Sequence, residues 1–309
     1  MIQTTLAHNP GLPSWGYQLQ GVEVSEIAES PFNLLVIDYS LDGSDESAWS
    51  NEQITEMKNG DKTLLSYISI GEAEDYRYYW DNDWLITPPQ WLDDENPDWE
   101  GNFKVKYWME SWQNIIFGYL DKIISQGFDG VYLDIIDAYY FYETNGRNTA
   151  ENEMIDWVIK IADYSRTQNS EFLIFPQNGE ELLENNTYRS IISGIGIEDL
   201  YYVSENEKNT ESDITERESY LELAVNDEKT VLTVDYIKDS AKQDEVYKRS
   251  TGNGFIPYFT TRDLDTLTIP DFLKDPNSKS ANFLSIIEVM LVLTVPTAIK
   301  YKSKRKKSK

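Results

Sequence analysis

Several short apolar runs in this chain end in acid where a buried strand has no reason to, among them LLVID on Asp38, GVYLD on Asp134, GIGIE on Glu198 and TVLTVD on Asp235. Two of these facing across one mouth would make a carboxyl pair. Such a pair can move a proton and stabilise developing positive charge, if their surroundings keep one carboxyl protonated and the other ionised. Little else in the composition could do that work. Cysteine is absent and histidine occurs once, as His8. A thiolate nucleophile, a Ser-His-Asp triad and a histidine-rich zinc site are therefore excluded. Proton transfer falls to Asp, Glu, Tyr or Lys, and carboxylates suit it best because burial tunes them in either direction.

Hydrolysis of a glycosidic bond needs this equipment, one carboxyl to protonate the leaving oxygen and one carboxylate to attack or to activate water. No metal and no cofactor is expected. Other polar side chains gather at the same strand ends: Asp38 after the second, Glu74 and Arg77 after the third, Asp137 after the fourth, Gln177 and Asn178 after the fifth, and Asp235 with Tyr236 after the seventh. Tyr67 and Tyr132, within the third and fourth strands, join them as substrate-binding candidates. A single acid at a strand end is ordinary helix capping, whereas several on one rim are hard to read that way. Asp137 stays open between holding Asp134 or a sugar hydroxyl and capping the next helix. Sugar rings also need flat side chains, and the stretch from Glu72 to Glu110 carries Tyr76, Tyr78, Tyr79, Trp80, Trp84, Trp91, Trp99, Tyr107 and Trp108. Read as a long insertion without regular structure, it is expected to wall the mouth, with about half of its aromatics packing the insertion itself.

The elements that must position these groups alternate regularly. Strands begin near Trp15, Leu34, Thr63, Gly130, Phe172, Gly194, Thr230 and Gly254, and helical periodicity fills the gaps, clearest over 111–126 and 150–168. Eight such units predict an α/β chain folded as a (β/α)8 TIM barrel, with the aromatic insertion after strand 3, over residues 1–265. Catalytic groups in that architecture collect at the carboxyl ends of the strands. Residues 266–282 read as a linker. Residues 283–299 are mostly apolar and precede a lysine-rich tail, which reads equally as a membrane anchor or as a helix closing the barrel. No basic start followed by an apolar run is visible in 1–21, yet the reading is of an extracellular or cell-surface protein. The formal charge of −27 disfavours nucleic acid as a partner and suits a neutral or cationic polysaccharide.

The segments WGYQLQG, LLVIDYS, YISIGEAEDYR, GFDGVYLDIIDAY, PQNGEEL and GIGIEDL together resemble the family 114 glycoside hydrolases, the endo-α-1,4-polygalactosaminidase group, especially its archaeal and bacterial extracellular-hydrolase branch. The similarity runs from about Trp15 to Asp265. It implies a barrel, an α-1,4-linked polymer containing galactosamine or N-acetylgalactosamine, and catalysis by Asp134 as nucleophile or base with Glu198 as general acid, or the reverse. One departure is Asp134-Ile135-Ile136-Asp137, where better-known members carry an amide after the first acid. Two other functions compete: a Mg-dependent lyase or isomerase using Asp134, Asn178 and Glu198 as oxygen ligands, and a non-catalytic carbohydrate-binding surface protein. A phosphate cradle at Gly194-Ile195-Gly196 is the weakest reading, since the pair lacks the third glycine and the helix.

Overall fold

The structure, a computed structural model, describes residues 14–60, 62–270 and 273. The chain divides after Thr268, and nearly everything described belongs to the first unit, Met1–Thr268. The apolar run and basic tail at 283–309 lie outside the described residues. Among the described residues no helix is long and apolar enough to cross a membrane.

Eight parallel strands follow one another: β1 (Trp15–Tyr17), β2 (Leu34–Ile37), β3 (Thr63–Ser69), β4 (Gly130–Asp134), β5 (Leu173–Pro176), β6 (Gly194–Glu198), β7 (Thr230–Asp235) and β8 (Ile256–Phe259). Five pair as β1-β2-β3-β4-β5 and three as β6-β7-β8. A parallel bridge from Gln177 to Gly196 joins the two sets between β5 and β6. At the other seam the Trp15 indole donates to the Ile256 carbonyl at 2.8 Å, so a side chain links β1 to β8. The helices α1 (Val24–Glu29), α2 (Asn51–Lys58), α3 (Glu110–Gln126), α4 (Ala138–Thr144), α5 (Ala150–Gln168), α6 (Asn186–Ile191), α7 (Glu211–Asn226) and α8 (Ser240–Gly252) fall between the strands. This is the α/β architecture of a (β/α)8 barrel. α5 has the bounds that its periodicity predicts, because its apolar face, including Trp157, Val158 and Ile161, is wholly buried.

Strand alternation decides what faces inward. In β4, Tyr132 and Asp134 share a face; in β6 that face is Gly194, Gly196 and Glu198. The two glycines are there for space. A Cβ on Gly196 would lie 1.8 Å from the Tyr132 hydroxyl, and one on Gly194 would lie 2.2 Å from the Phe175 ring. Large rings on β4 and β5 thus fill the room that β6 gives up, and the glycine pair serves the interior rather than a phosphate.

The insertion after β3 corrects the expectation of an irregular loop. It holds an antiparallel sheet in which Asn102–Val105 pairs with Glu72–Glu74 on one side and Leu92–Glu95 on the other. Its aromatics divide by role. Trp80 stacks on Phe103 at 4.8 Å, Trp84 meets Trp91 edge-on at 5.0 Å, and Trp91 lies 4.9 Å from Trp112 of α3. That cluster fastens the insertion to the barrel, while Tyr76 and Trp99 stay about half exposed and reach the mouth.

Candidate active site

The carboxyl ends of the strands open on a cleft of about 880 Å3, and Asp134 and Glu198 lie in its wall. The side chain that brings them together is Gln177, which follows β5 and is 2 % exposed. Its Nε2 donates to Asp134 Oδ1 at 3.0 Å and to Glu198 Oε2 at 2.5 Å, and its Oε1 accepts from the Tyr17 hydroxyl at 3.2 Å. Asp134 also receives the Tyr67 hydroxyl at 2.6 Å and the Ile135 amide at 2.8 Å. Glu198 Oε1 receives the Tyr236 hydroxyl, and Asn178 lies against both its amide and its carboxylate.

Burial pushes Asp134 up to about 8, with the neighbouring charge of Glu198 adding to it, and burial raises Glu198 as well. Two acids on one amide cannot both ionise cheaply, so the pair holds one proton near neutral pH. Three donors converge on Asp134, one of them a backbone N–H, and each favours its charged form. Three donors likewise reach Glu198, from Gln177, Asn178 and Tyr236, so the two acids hold that proton as a pair.

Three residues set the aim of these groups. Ile135, Asn178 and Asp199 directly follow Asp134, Gln177 and Glu198, and all three have left-handed backbones, with φ of 59°, 63° and 50°. The strand turns sharply after each functional side chain. Asn and Asp tolerate that region, whereas a β-branched residue is strained in it. Gly71 makes the Ile135 kink fit, because a Cβ there would meet the Ile135 carbonyl at 2.2 Å.

A family model for glycoside-hydrolase family GH114 matches residues 3–271. The Methanocaldococcus jannaschii protein MJ1477 is 47% identical over 268 residues, covering 82% of this chain and 77% of that one. A Thermotoga maritima protein is 38% identical over 290 residues, covering 86% and 88%. The chain belongs to glycoside hydrolase family 114. Solved structures agree on the fold. The glycoside hydrolase domain of PelA from Pseudomonas aeruginosa superposes with a TM-score of 0.66 at 14% identity, over 83% of this chain and 97% of that one. Aspergillus fumigatus Ega3, in complex with galactosamine, does so with a TM-score of 0.63 at 15% identity, over 86% and 99%. The resemblance read from the motifs is thus the family itself, and the protein is a glycoside hydrolase.

In this family 114 hydrolase the remaining candidates fall into place unevenly. Tyr67, Asp137, Gln177, Asn178 and Tyr236 line the cleft with the two acids. Asp137 precedes α4 but makes no side-chain capping bond, so the capping alternative fails. Asp38 and Glu74 also line the cleft, on its β2 and β3 side. Arg77 does not. Its guanidinium is buried, donating to both oxygens of Asp38 at 2.7 Å and to Glu74 Oε2 at 2.6 Å, so it holds those acids rather than a sugar. Tyr132 is fully buried one layer below Asp134, with Tyr17 packed 5.3 Å away, and is off the cleft wall. Asp235 is a further correction. It is adjacent to Tyr236 and so faces the opposite way, where its Oδ1 accepts the Tyr201 and Tyr202 amides at 3.0 and 2.9 Å. Burial raises it to about 7.

Sequence reasoning missed Tyr17 and Arg262. Arg262 lines the cleft after β8, bonded to both oxygens of Asp199 at 2.9 Å and lying 4.2 Å over the Tyr236 ring. The same rule that found the other strand ends, applied to FIPYFTTRD, would have reached it.

Proposed function

We propose that this hydrolase cleaves α-1,4-linked polysaccharide containing galactosamine or N-acetylgalactosamine, with Asp134 as nucleophile and Glu198 as general acid and then base, and with retention at the anomeric carbon. The observation that carries the reading is the single amide shared by the two carboxylates. One nitrogen within hydrogen-bond reach of both keeps their nearer oxygens within the ~5–5.5 Å of a retaining pair and short of the ~6.5–9.5 Å that leaves room for an inverting water. Asp134 attacks the anomeric carbon while Glu198 gives its proton to the departing oxygen. Water activated by Glu198 then releases the sugar from Asp134, and Gln177 and Tyr236 keep the acid on its line throughout.

The cleft supports an amine-bearing substrate. Asp38, Asp42, Glu74, Glu100, Asp137 and Asp263 join the pair in its wall, against Arg262 as the cation there. A field of that sign attracts ammonium groups and repels anionic glycans. The galactosamine held by Ega3 is consistent with this choice. A polymer of this kind is met outside the cell or at its surface, which is where the protein is expected to act, with attachment through 283–299 as the accompanying expectation. Incubation with galactosaminan, N-acetylgalactosaminan and neutral glycans, followed by mass spectrometry and proton NMR of the products, tests the substrate and the stereochemistry together. Cleavage of galactosaminan, well ahead of N-acetylgalactosaminan, with retained configuration is expected. Cleavage of neutral glycans alone, or inverted product, overturns the reading.

A further inference from the structure

Glu198 also borders a second, smaller cavity of about 300 Å3, which shares Asp137, Asn178 and Glu198 with the cleft. Asn178, Glu198 and Asp199 border it from the strand ends, Tyr140 from α4 and Glu181 from the loop after β5, with Asp137 between the two cavities. It touches Glu198 and not Asp134. In a two-carboxylate displacement the attacked carbon sits against the nucleophile and the departing oxygen against the acid. Whatever that oxygen carries must then lie on the acid's side of the cleft, in contact with residues that border Glu198. The geometry points to this cavity as the binding site of the leaving sugar, and to a hexosamine with a free ammonium as its occupant; this rests on the function proposed above and adds which residues select the leaving unit.

The charges around the cavity favour that occupant. Asp199 is committed to Arg262, and Glu180 to Arg217. Arg217 also donates to the carbonyls of Asp199 at 2.8 Å and Glu198 at 3.2 Å, so its donors serve the floor of the cavity and offer nothing to an anion. Asp137 and Glu181 remain, and neither has an ion-pair partner among the described residues. Glu181 Oε2 is held in position by the Tyr139 hydroxyl at 3.4 Å. Two carboxylates lining one concavity, the Arg217 there being paired with Glu180, repel each other until a further cation enters, and an ammonium on the substrate is that cation. Tyr140 supplies the flat surface. Its ring is 45 % exposed and packs 4.3 Å from the buried ring of Tyr139, so it is presented to solvent on a fixed base.

Reducing-end-labelled galactosamine oligomers, and the same oligomers with one unit N-acetylated at successive positions, test the assignment with the full chain and with Glu181→Gln and Tyr140→Ala. Both positions are at the surface of the fold, and thermal melts check that each variant folds. The wild type is expected to avoid cuts that place an acetylated unit on the leaving side. Glu181→Gln should lose that discrimination and, like Tyr140→Ala, raise KM about tenfold with kcat changed less, as loss of a charge-assisted contact or a stacking surface predicts. Unaltered cut positions and KM in both folded variants overturn the leaving-site assignment alone. Failure of the wild type to cut any oligomer overturns the proposed function, and this inference falls with it.

Discussion

Two acid pairs lie in this barrel, each bridged by one side chain, and the bridges differ in charge. Asp38 and Glu74 share Arg77, a cation, while Asp134 and Glu198 share Gln177, a neutral amide. Arginine neutralises what it joins. Burial raises Asp38, but the guanidinium beside it works the other way, and the assembly is a fixed brace from β2 to the insertion, with the Tyr119 hydroxyl adding to Arg77 at 3.0 Å. Glutamine can fix geometry without supplying charge. The acids that it joins must relieve their repulsion by keeping a proton, and a carboxyl that keeps a proton at neutral pH is what acid catalysis needs.

The largest effect expected from breaking this contrast is on the catalytic side. Asp134→Asn and Glu198→Gln should each lower kcat by about ten-thousandfold or more, with melting temperatures at or above that of the parent, because each change relieves the repulsion within a buried carboxyl pair. Near-normal turnover in either variant would end the assignment. Next comes Arg77→Met, which leaves Asp38 and Glu74 uncompensated. A loss of about 3–5 kcal/mol in denaturant unfolding is expected, and Arg77→Lys should restore little of it, since a point charge cannot span both acids. Gln177→Met keeps the volume and removes the shared donor, so kcat should drop about a hundredfold while stability changes little. A stability loss rivalling that of Arg77→Met would show that both bridges are structural.

The pH response separates the pairs further. Asp134 and Asp235 have folded values near 8 and 7, raised above the ordinary carboxylate range by burial. Between that range and those values the native state binds protons that the unfolded chain does not, so the stability that these two groups contribute falls as pH rises from about 4 toward 8. Denaturant titrations at about pH 5 and pH 8 should show this, with a smaller difference in Asp134→Asn. Activity should also decline above about 8, as the shared proton leaves. The smallest effect belongs to Ile135→Asn. Replacing a β-branched residue at φ 59° should stabilise the chain by about 1 kcal/mol, and no gain would mean that the kink carries no strain.

The barrel was legible because its signals are local. Alternating strands and one-sided helices declare themselves within a dozen residues, and strand ends gave the rim of acids from which the family resemblance picked out Asp134 and Glu198. What stayed hidden depends on neighbours distant in sequence. Arg77 is polar and near the rim, and only the fold shows that its charge is turned inward on Asp38. Asp235 and Tyr236 were read together although one strand cannot aim adjacent residues the same way, an error that the period of two could have prevented. Trp80, Trp84 and Trp91 were indistinguishable from Tyr76 and Trp99 by composition. Their separation into fastening and contact surfaces depends on Trp112 of α3 and Phe103 of the insertion sheet.

The left-handed residues 135, 178 and 199 bear on redesign. Each follows a functional side chain and governs its bearing, so heredity of aim resides one position downstream of heredity of chemistry. A library randomised at 134, 177 and 198 would swap the instruments on intact mounts. One randomised at the three followers would leave every instrument in place and point them all elsewhere.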